Sequence, residues 1–324
     1  MLNILVTGGS GFIASHLVTK LIKNENNFVI NLDKLDYCSN DNTKNIEGRY
    51  KFINGNICNK ELVLFILNEY NIKVIYHLAA QTHVDNSFFN STLFTMDNVI
   101  GTHNLLECCR EYDKLDKFIH MSTDEVYGEV KDNEIEKDEK SLLKPTNPYA
   151  ASKAGAEMLV ESYNKSFNLP TIIVRCNNVY GPNQYPEKVI PAFIFNILSG
   201  VKCQIQGNGK NKRHFIFVDD VIDALELIYN EGKVSEIYNI ASKNDEIKII
   251  DLAKLLINKI LGDKIDLENC NYDDYINYVE DRKFNDFRYL INSDKLELLG
   301  WKSNVKFEDG LEKTIENFKK ILYA

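Results

Sequence analysis

The chain has 324 residues, 44% hydrophobic and 26% charged, which is ordinary globular composition and enough for one large or two modest cores. A formal net charge of −9 excludes a broad nucleic-acid-binding face, so an anionic ligand must be held by local cations or helix N-termini. Seven cysteines, an odd count with no CxxC pair, read as reduced thiols rather than as a disulfide framework or a metal set, and no apolar run is long enough to span a membrane.

The first strand begins at Leu2 and runs straight into a glycine loop, so no secretory leader is expected. Leu2-Asn3-Ile4-Leu5-Val6 is short and apolar. Thr7-Gly8-Gly9-Ser10-Gly11-Phe12-Ile13-Ala14 follows, and Leu17, Leu21 and Ile22 then fall on one helical face. Strand, glycine loop and helix in that order form a dinucleotide-binding signature, where the glycines alone would make only a turn. Gly8 permits the tight turn, Gly11 lets a pyrophosphate reach the helix N-terminus, and Ala14 stands where a small residue packs helix on strand. Phe28–Leu32 is a second strand ending at Asp33. An acid about 20 residues past the loop accepts from ribose hydroxyls and repels a 2′-phosphate, so NAD is expected over NADP, although Lys34 adjoins it.

Lys51–Asn54 is a third strand, followed by Gly55-Asn56-Ile57. Val74–Ala80 is a fourth, ending in small residues that suit close approach of a flat cofactor. The loop Gln81–Ser87 contains His83, read as a structural residue. Asn98–Arg110 is helical and carries the adjacent Cys108 and Cys109, and Lys117–Ser122 is a fifth strand. Ser122, Thr123, Asp124 and Glu125 lie past its carboxyl end, where ligands bind in an open parallel sheet. Two neighbouring carboxylates oppose each other's ionisation, which suits a site needing an acid beside a base. The alternative is a capping box from Ser122 to Glu125, but Gly128 interrupts a helix there after about one turn.

Glu129–Lys144, mixed in charge, reads as a solvated excursion. Asn147 can cap, and Pro148 can open, a helix carrying Tyr149 and Lys153, four apart and one turn from each other. A lysine ammonium near a phenol favours phenolate. Thr171–Cys176 is a sixth strand. The alternation then loosens. A helix at about Ala192–Ser199 and a hairpin around Val201–Ile205 precede a strand Arg213–Val218 and a helix Asp219–Asn230 that return to the main sheet. Ile237–Ile240 is apolar and short. An amphipathic helix from Ile249, a polar loop holding Asp281 and Arg282, and a helix after Phe307 close the chain. The pattern implies an α/β fold: a Rossmann-type doubly wound parallel sheet over 1–176 with a return segment at about 213–240. A smaller, discontinuous substrate-binding domain comes mainly from 177–324.

The Gly8–Ala14 loop, Thr123-Asp124-Glu125, Tyr149-Ala150-Ala151-Ser152-Lys153, Asn177-Asn178-Val179-Tyr180-Gly181-Pro182 and Pro186-Glu187-Lys188 together resemble the extended short-chain dehydrogenase/reductase superfamily, and within it the nucleotide-sugar 4,6-dehydratases. Related 4-epimerases share the loop and the Tyr/Lys pair but lack the acid pair. The segments Ala80–Ser87, Gly181–Lys188 and Phe284–Tyr289 are similar to the dehydratase part of eukaryotic UDP-rhamnose synthases. Bacterial dTDP-glucose enzymes usually have Glu-Ser for Gln81-Thr82, Arg for Asn86 and His for Asn285, so this resemblance points to UDP-glucose first and dTDP-glucose next.

The resemblance implies a lyase that oxidises C4 of the hexose, which acidifies the C5 proton, then loses water across C5 and C6 and is reduced again at C6. Thr123, Asp124, Glu125, Tyr149 and Lys153 are the implied catalytic set. Tyr149, aided by Lys153, takes the C4 hydroxyl proton while Thr123 holds that hydroxyl. The residues themselves leave open which of Asp124 and Glu125 is acid and which base; the resemblance makes Glu125 the C5 base and Asp124 the acid at C6. NAD would lie against Gly8, Gly11, Phe12, Ile13, Asp33, Asn56, Ile57, Leu78, Ala79, Ala80, Gln81, Tyr149, Lys153 and Asn178. Asn56 stands where the family often has Asp, so weaker NAD binding is expected. The sugar nucleotide would contact Thr82, Thr123, Asn177, Glu187, Lys188, Arg213, Arg282 and Asn285, the guanidinium forks of Arg213 and Arg282 matching its pyrophosphate. A cytoplasmic homodimer joined near Asn98–Arg110 and Tyr149–Tyr163 is expected. The rival functions are a nucleotide-sugar epimerase or decarboxylase, which needs no acid pair, and a non-catalytic NAD- or sugar-nucleotide-binding regulator, which has no need of all five catalytic groups together.

Overall fold

The computed structural model describes residues 1–40, 43, 46–262 and 270–323. Its centre is a seven-stranded parallel sheet. The strands are β1 (Leu2–Thr7), β2 (Asn27–Asp33), β3 (Tyr50–Asn54), β4 (Val74–His77), β5 (Lys117–Met121), β6 (Thr171–Cys176) and, after four short strands, β11 (Ile237–Ile240). Across the sheet they run β11-β6-β5-β4-β1-β2-β3. The order reverses at β1, and β1 and β4 are neighbours with Thr7 opposite His77. Ligands bind outside the carboxyl ends of strands at such a reversal.

Period-2 alternation builds two cores, one on each face of the sheet. Ile4 and Val6 of β1 and Ile172 and Val174 of β6 face one side, where Leu17, Val18 and Leu21 of helix Phe12–Leu21 and Val221 and Leu225 of helix Val218–Glu231 cover them. Leu5, Ile75, Phe118 and Ile173 face the other, under Val63 and Ile66 of helix Lys60–Glu69, Leu105 and Leu106 of helix Gly101–Tyr112, and Val160 of helix Pro148–Phe167. Each of these side chains is essentially removed from water, a gain of about 1.5–3 kcal/mol per large apolar side chain. The first core continues into the C-terminal region through Ile190, Phe193 and Ile194 of helix Val189–Leu198 and Leu252 and Leu256 of helix Ile249–Leu261. Among the described residues no helix is long and apolar enough to cross a membrane. All seven cysteines carry free thiols.

Several expected boundaries differ. The fourth strand ends at His77 rather than Ala80. Beyond it the Ala79 amide turns to the Thr7 side chain at 3.3 Å, and the chain passes so close over Gly8 that a Cβ there would stand 2.7 Å from Ala79 Cα. No hairpin forms around Val201–Ile205. Instead β8 (Cys203–Gln206) pairs in parallel with β13 (Ile276–Val279), Cys203 opposite Ile276. The expected strand Arg213–Val218 is split: β9 (Lys212–Arg213) pairs antiparallel with β12 (Ile247–Lys248), and β10 (Phe215–Phe217) pairs with β7 (Asn178–Tyr180). Neither joins the main sheet; the strand that does is β11, beside β6. The capping box from Ser122 is also absent. Thr123 caps a single 3-10 turn, Asp124–Tyr127, which Gly128 ends at φ +75°.

Candidate active site

One cleft opens at the carboxyl ends of β1 and β4 and takes residues from both regions of the chain. At its floor Gly8 adopts φ +72°, a conformation L side chains rarely hold. Helix Phe12–Leu21 begins at Gly11 with no side chain capping it, so its first N–H groups face the cleft as a ready anion site. Asp33 ends β2 and accepts from the Ser10 amide at 2.9 Å and the Leu35 amide at 2.7 Å. Burial raises its pKa in spite of those two bonds. Lys34 does not turn the site toward a 2′-phosphate, because it pairs with Asp97 at 2.6 Å and Asp36 at 3.1 Å. Gln81 ties the same two acids together, donating to Asp36 at 2.7 Å and to Asp97 at 2.8 Å. Asn56 Oδ1 accepts from the Cys58 amide at 2.8 Å, and Ile57, Leu78, Ala79, Ala80 and Asn178 complete the lining. Every residue expected at the dinucleotide therefore lines this cleft. A glycine cradle, an uncapped helix start and a ribose-facing acid fit such a group.

The carboxyl-end acids stand at the other end of the cleft. Asp124, 2% exposed, accepts from Asn177 Nδ2 at 2.8 Å and from the Thr123 hydroxyl at 3.3 Å. Burial, and then the neighbouring Glu125 charge, bring its pKa up to about 7 against the Asn177 bond. Glu125 is half-buried, accepts from Asn147 Nδ2 at 3.1 Å, and is also shifted up by burial. Tyr149 lines the same cleft as Thr123. Lys153, one turn along, donates to the Met121 carbonyl at 2.7 Å.

The expected depression of the Tyr149 pKa by Lys153 is not found. Burial, and then the Glu125 charge, raise the phenol, while burial alone brings Lys153 down to about 8. In a desolvated pair, loss of hydration outweighs an attraction whose ammonium is aimed at a carbonyl.

The expected substrate residues separate into two groups. Thr82, Asn177, Glu187 and Lys188 line the cleft. Lys188 donates to the Thr82 carbonyl at 2.6 Å, and Glu187 accepts from the Tyr37 hydroxyl at 2.7 Å. Asn177 is committed to Asp124 and to the Ser242 amide, so it orients the acid as well as facing the cleft. Arg213, Arg282 and Asn285 form a second layer outside that lining. Arg213 donates to the carbonyls of Lys212, Asp286 and Phe287 and reaches Asn285 Oδ1 at 3.3 Å. Arg282 is held by Asp85 at 3.0 Å and by Gln206 at 2.9 Å.

Three features went unread in the sequence. Asn147, whose capping role was legible, also donates to Glu125. Ser122 Oγ is buried on the cleft wall with no hydrogen-bond partner among the described residues. Asp286 and Tyr289, three apart beside Asn285, form a network behind Glu125. Their spacing around an asparagine already singled out was the available signal.

Residues 5–314 match the family model described as GDP-mannose 4,6 dehydratase. The chain belongs to this family. It is 46% identical to the dTDP-D-glucose 4,6-dehydratase of Dictyostelium discoideum, with 98% of this chain and 81% of that protein covered. It is equally identical, at 46%, to a trifunctional UDP-glucose 4,6-dehydratase/UDP-4-keto-6-deoxy-D-glucose 3,5-epimerase/UDP-4-keto-L-rhamnose-reductase of Arabidopsis thaliana, over 97% of this chain but 46% of that protein, so it spans about half the plant enzyme's length. Among solved structures, DesIV, a dTDP-glucose 4,6-dehydratase from Streptomyces venezuelae with NAD and TYD bound, superposes with a TM-score of 0.91 at 35% identity, covering 98% of this chain and 97% of that one. The family's parallel sheet with flanking helices is the fold seen here.

Proposed function

We propose that this chain is an NAD-dependent nucleoside-diphosphate-glucose 4,6-dehydratase, with UDP-glucose as its preferred substrate. The observation that carries the reading is Asp124: a buried carboxyl raised to about 7, beside the second carboxyl Glu125 and in one cleft with Thr123, Tyr149 and Lys153. An acid and a base next to an alcohol-oxidising pair are what the elimination needs, and an epimerase has no use for both. The chemistry that NAD supplies when bound is reversible hydride transfer, out at C4 and back at C6. Tyr149, after giving its own proton to solvent, takes the C4 hydroxyl proton as phenolate, and Thr123 orients that hydroxyl. Lys153 has donors left beyond the one given to Met121, and these would hold the cofactor. Glu125 removes the C5 proton once C4 is a ketone. Asp124 gives its proton to the departing C6 hydroxyl, and Asn177 fixes its orientation.

Choice of UDP-glucose rests on Gln81-Thr82, Asn86 and Asn285 and is supported by the plant relatives; the dTDP-glucose relatives at the same identity make it the first point to test. Purified protein, given UDP-glucose or dTDP-glucose without added NADH, should remove one water from the sugar nucleotide by mass spectrometry, with the higher kcat/KM for UDP-glucose. Preference for dTDP-glucose would keep the mechanism and overturn the nucleotide. A product of unchanged mass would overturn the dehydratase.

Arg213 and Arg282 would reach the pyrophosphate only by giving up present partners, Arg282 by exchanging Asp85 for it. Arg213→Ala should weaken sugar-nucleotide binding roughly ten- to a hundred-fold and leave NAD affinity unchanged. Equal loss of both in titrations would count against that role. A second copy of the chain would cover Phe89, Met96, Ile100 and Met158, exposed apolar side chains on and beside the helices expected at a dimer interface.

A further inference from the structure

A third carboxyl stands behind Glu125 and takes no part in the steps above. Asp286 is 2% exposed. Its Oδ2 accepts from the Tyr289 hydroxyl at 2.5 Å, and its two oxygens lie 2.7 and 2.8 Å from Thr146 Oγ1, which donates to them. The same Tyr289 oxygen is 3.3 Å from Glu125 Oε2. A phenol has one proton to give. The much shorter contact with Asp286 holds it, which leaves a Tyr289 lone pair facing Glu125. An ionised Glu125 has nothing to donate to that lone pair, whereas a protonated Glu125 does.

We propose that Asp286 is a positioning residue: by holding the Tyr289 proton it makes Tyr289 an acceptor for Glu125, and so favours the protonated form that Glu125 assumes on taking the C5 proton. This deepens the dehydratase reading and rests on Glu125 being the base. The proton passes from C5 to Glu125 alone; Tyr289 keeps its own proton, donated to Asp286. Burial holds the Tyr289 phenol well above its ordinary range, so its proton stays in the network.

The other groups facing Glu125 act in both directions. Asn147 donates to the same Oε2, and the cations Arg213 and Lys188 favour the ionised form. Arg213 also stacks on the Tyr289 ring at 4.9 Å. The charge of Asp286 favours the protonated form, and Tyr149 faces Glu125 neutral.

The test is an infrared titration of the Glu125 carboxyl band, identified by its loss in Glu125→Gln, on the full chain with its NAD and without sugar nucleotide. Asp286→Asn lets an amide donate to Tyr289 and releases the phenol proton toward Glu125, so the midpoint should fall by roughly one pH unit. In a Tyr289→Phe background the same substitution should shift it less than half as far. An unchanged midpoint, or an equal shift without the Tyr289 hydroxyl, would overturn the proposal, the latter by showing that charge alone acts through space. If Asp286→Asn does not fold, Tyr289→Phe against the wild type reads the same acceptor: its midpoint must fall, and a constant one overturns the proposal. With substrate, Asp286→Asn should lower kcat several-fold at constant KM. Because the titration needs no turnover, its outcome is separate from that of the product assay, in which the dehydratase reading itself stands or falls.

Discussion

Asp124→Asn should stop water loss while leaving C4 oxidation intact, so that reduced nicotinamide builds up and persists when sugar nucleotide is mixed with the enzyme. The amide keeps the size of the carboxyl, and its oxygen can still accept from Asn177, but it has no acidic proton for the C6 hydroxyl. A positioned acid contributes about 10²–10⁴-fold, and a loss of that order in kcat is expected. Glu125→Gln should lose as much overall but stall differently. Run in deuterated water, Asp124→Asn should still exchange the C5 hydrogen through its intact base, and Glu125→Gln should not. Exchange in Glu125→Gln but not in Asp124→Asn would swap the two roles. The pH dependence has a fixed sign. Burial and Glu125 raise Asp124 to about 7, and the acid must be protonated to act, so the elimination step in the wild type should be fastest below that value and decline as pH rises through it.

The largest effect on stability is expected at Glu157. This residue is 0% exposed, and Arg175 on β6, 2% exposed, gives it three hydrogen bonds: Nε to Oε1 at 3.2 Å and to Oε2 at 3.0 Å, and Nη2 to Oε2 at 2.6 Å. Nη1 goes to the Tyr127 hydroxyl at 2.7 Å and the Glu139 carbonyl at 3.3 Å. Glu157→Ala leaves a buried guanidinium without its counter-ion, which costs about 3–5 kcal/mol. Replacing both partners together, as Arg175→Met with Glu157→Leu, should recover most of the loss, because the expense lies in the unpaired charge rather than in the missing attraction. Denaturant unfolding of the two variants beside the wild type measures this. A cost for Glu157→Ala no greater than the ~1 kcal/mol of a surface pair would mean that the charge reaches water by local rearrangement.

What the sequence disclosed and what it concealed follow from the range of the contacts. The β1 strand, the Gly8–Ala14 loop and the start of helix Phe12–Leu21 are written in consecutive residues, as are the Asn147 cap and the Tyr149–Lys153 spacing, and all were legible. The Val201–Ile205 segment misled because a short apolar run flanked by turn residues suggests a local partner, whereas β8 takes its partner some seventy residues away, in β13. Arg282 was read as a free cation, since nothing in its neighbourhood along the chain announces Asp85. The Lys153 effect on Tyr149 was legible in spacing but not in sign, because burial, which decides it, is a property of the folded chain. Asp286 and Tyr289 escaped for the same reason: their partner Glu125 is far away in sequence.

The position of β11 also bears on how the protein is made. Synthesis delivers β6 at residues 171–176, but the strand that pairs with its outer edge arrives only at 237–240, after the chain has already entered its C-terminal region. Until then β6, buried at every position in the finished protein, is an unprotected edge on the nascent chain, the kind of surface that pairs with the wrong partner. Tyr127, which closes the turn bearing Asp124 and Glu125, donates to Asn239 of β11 at 2.9 Å. The catalytic turn therefore cannot set until Asn239 has been made, and the interval between β6 and β11 is the period in which a holding chaperone has most to do.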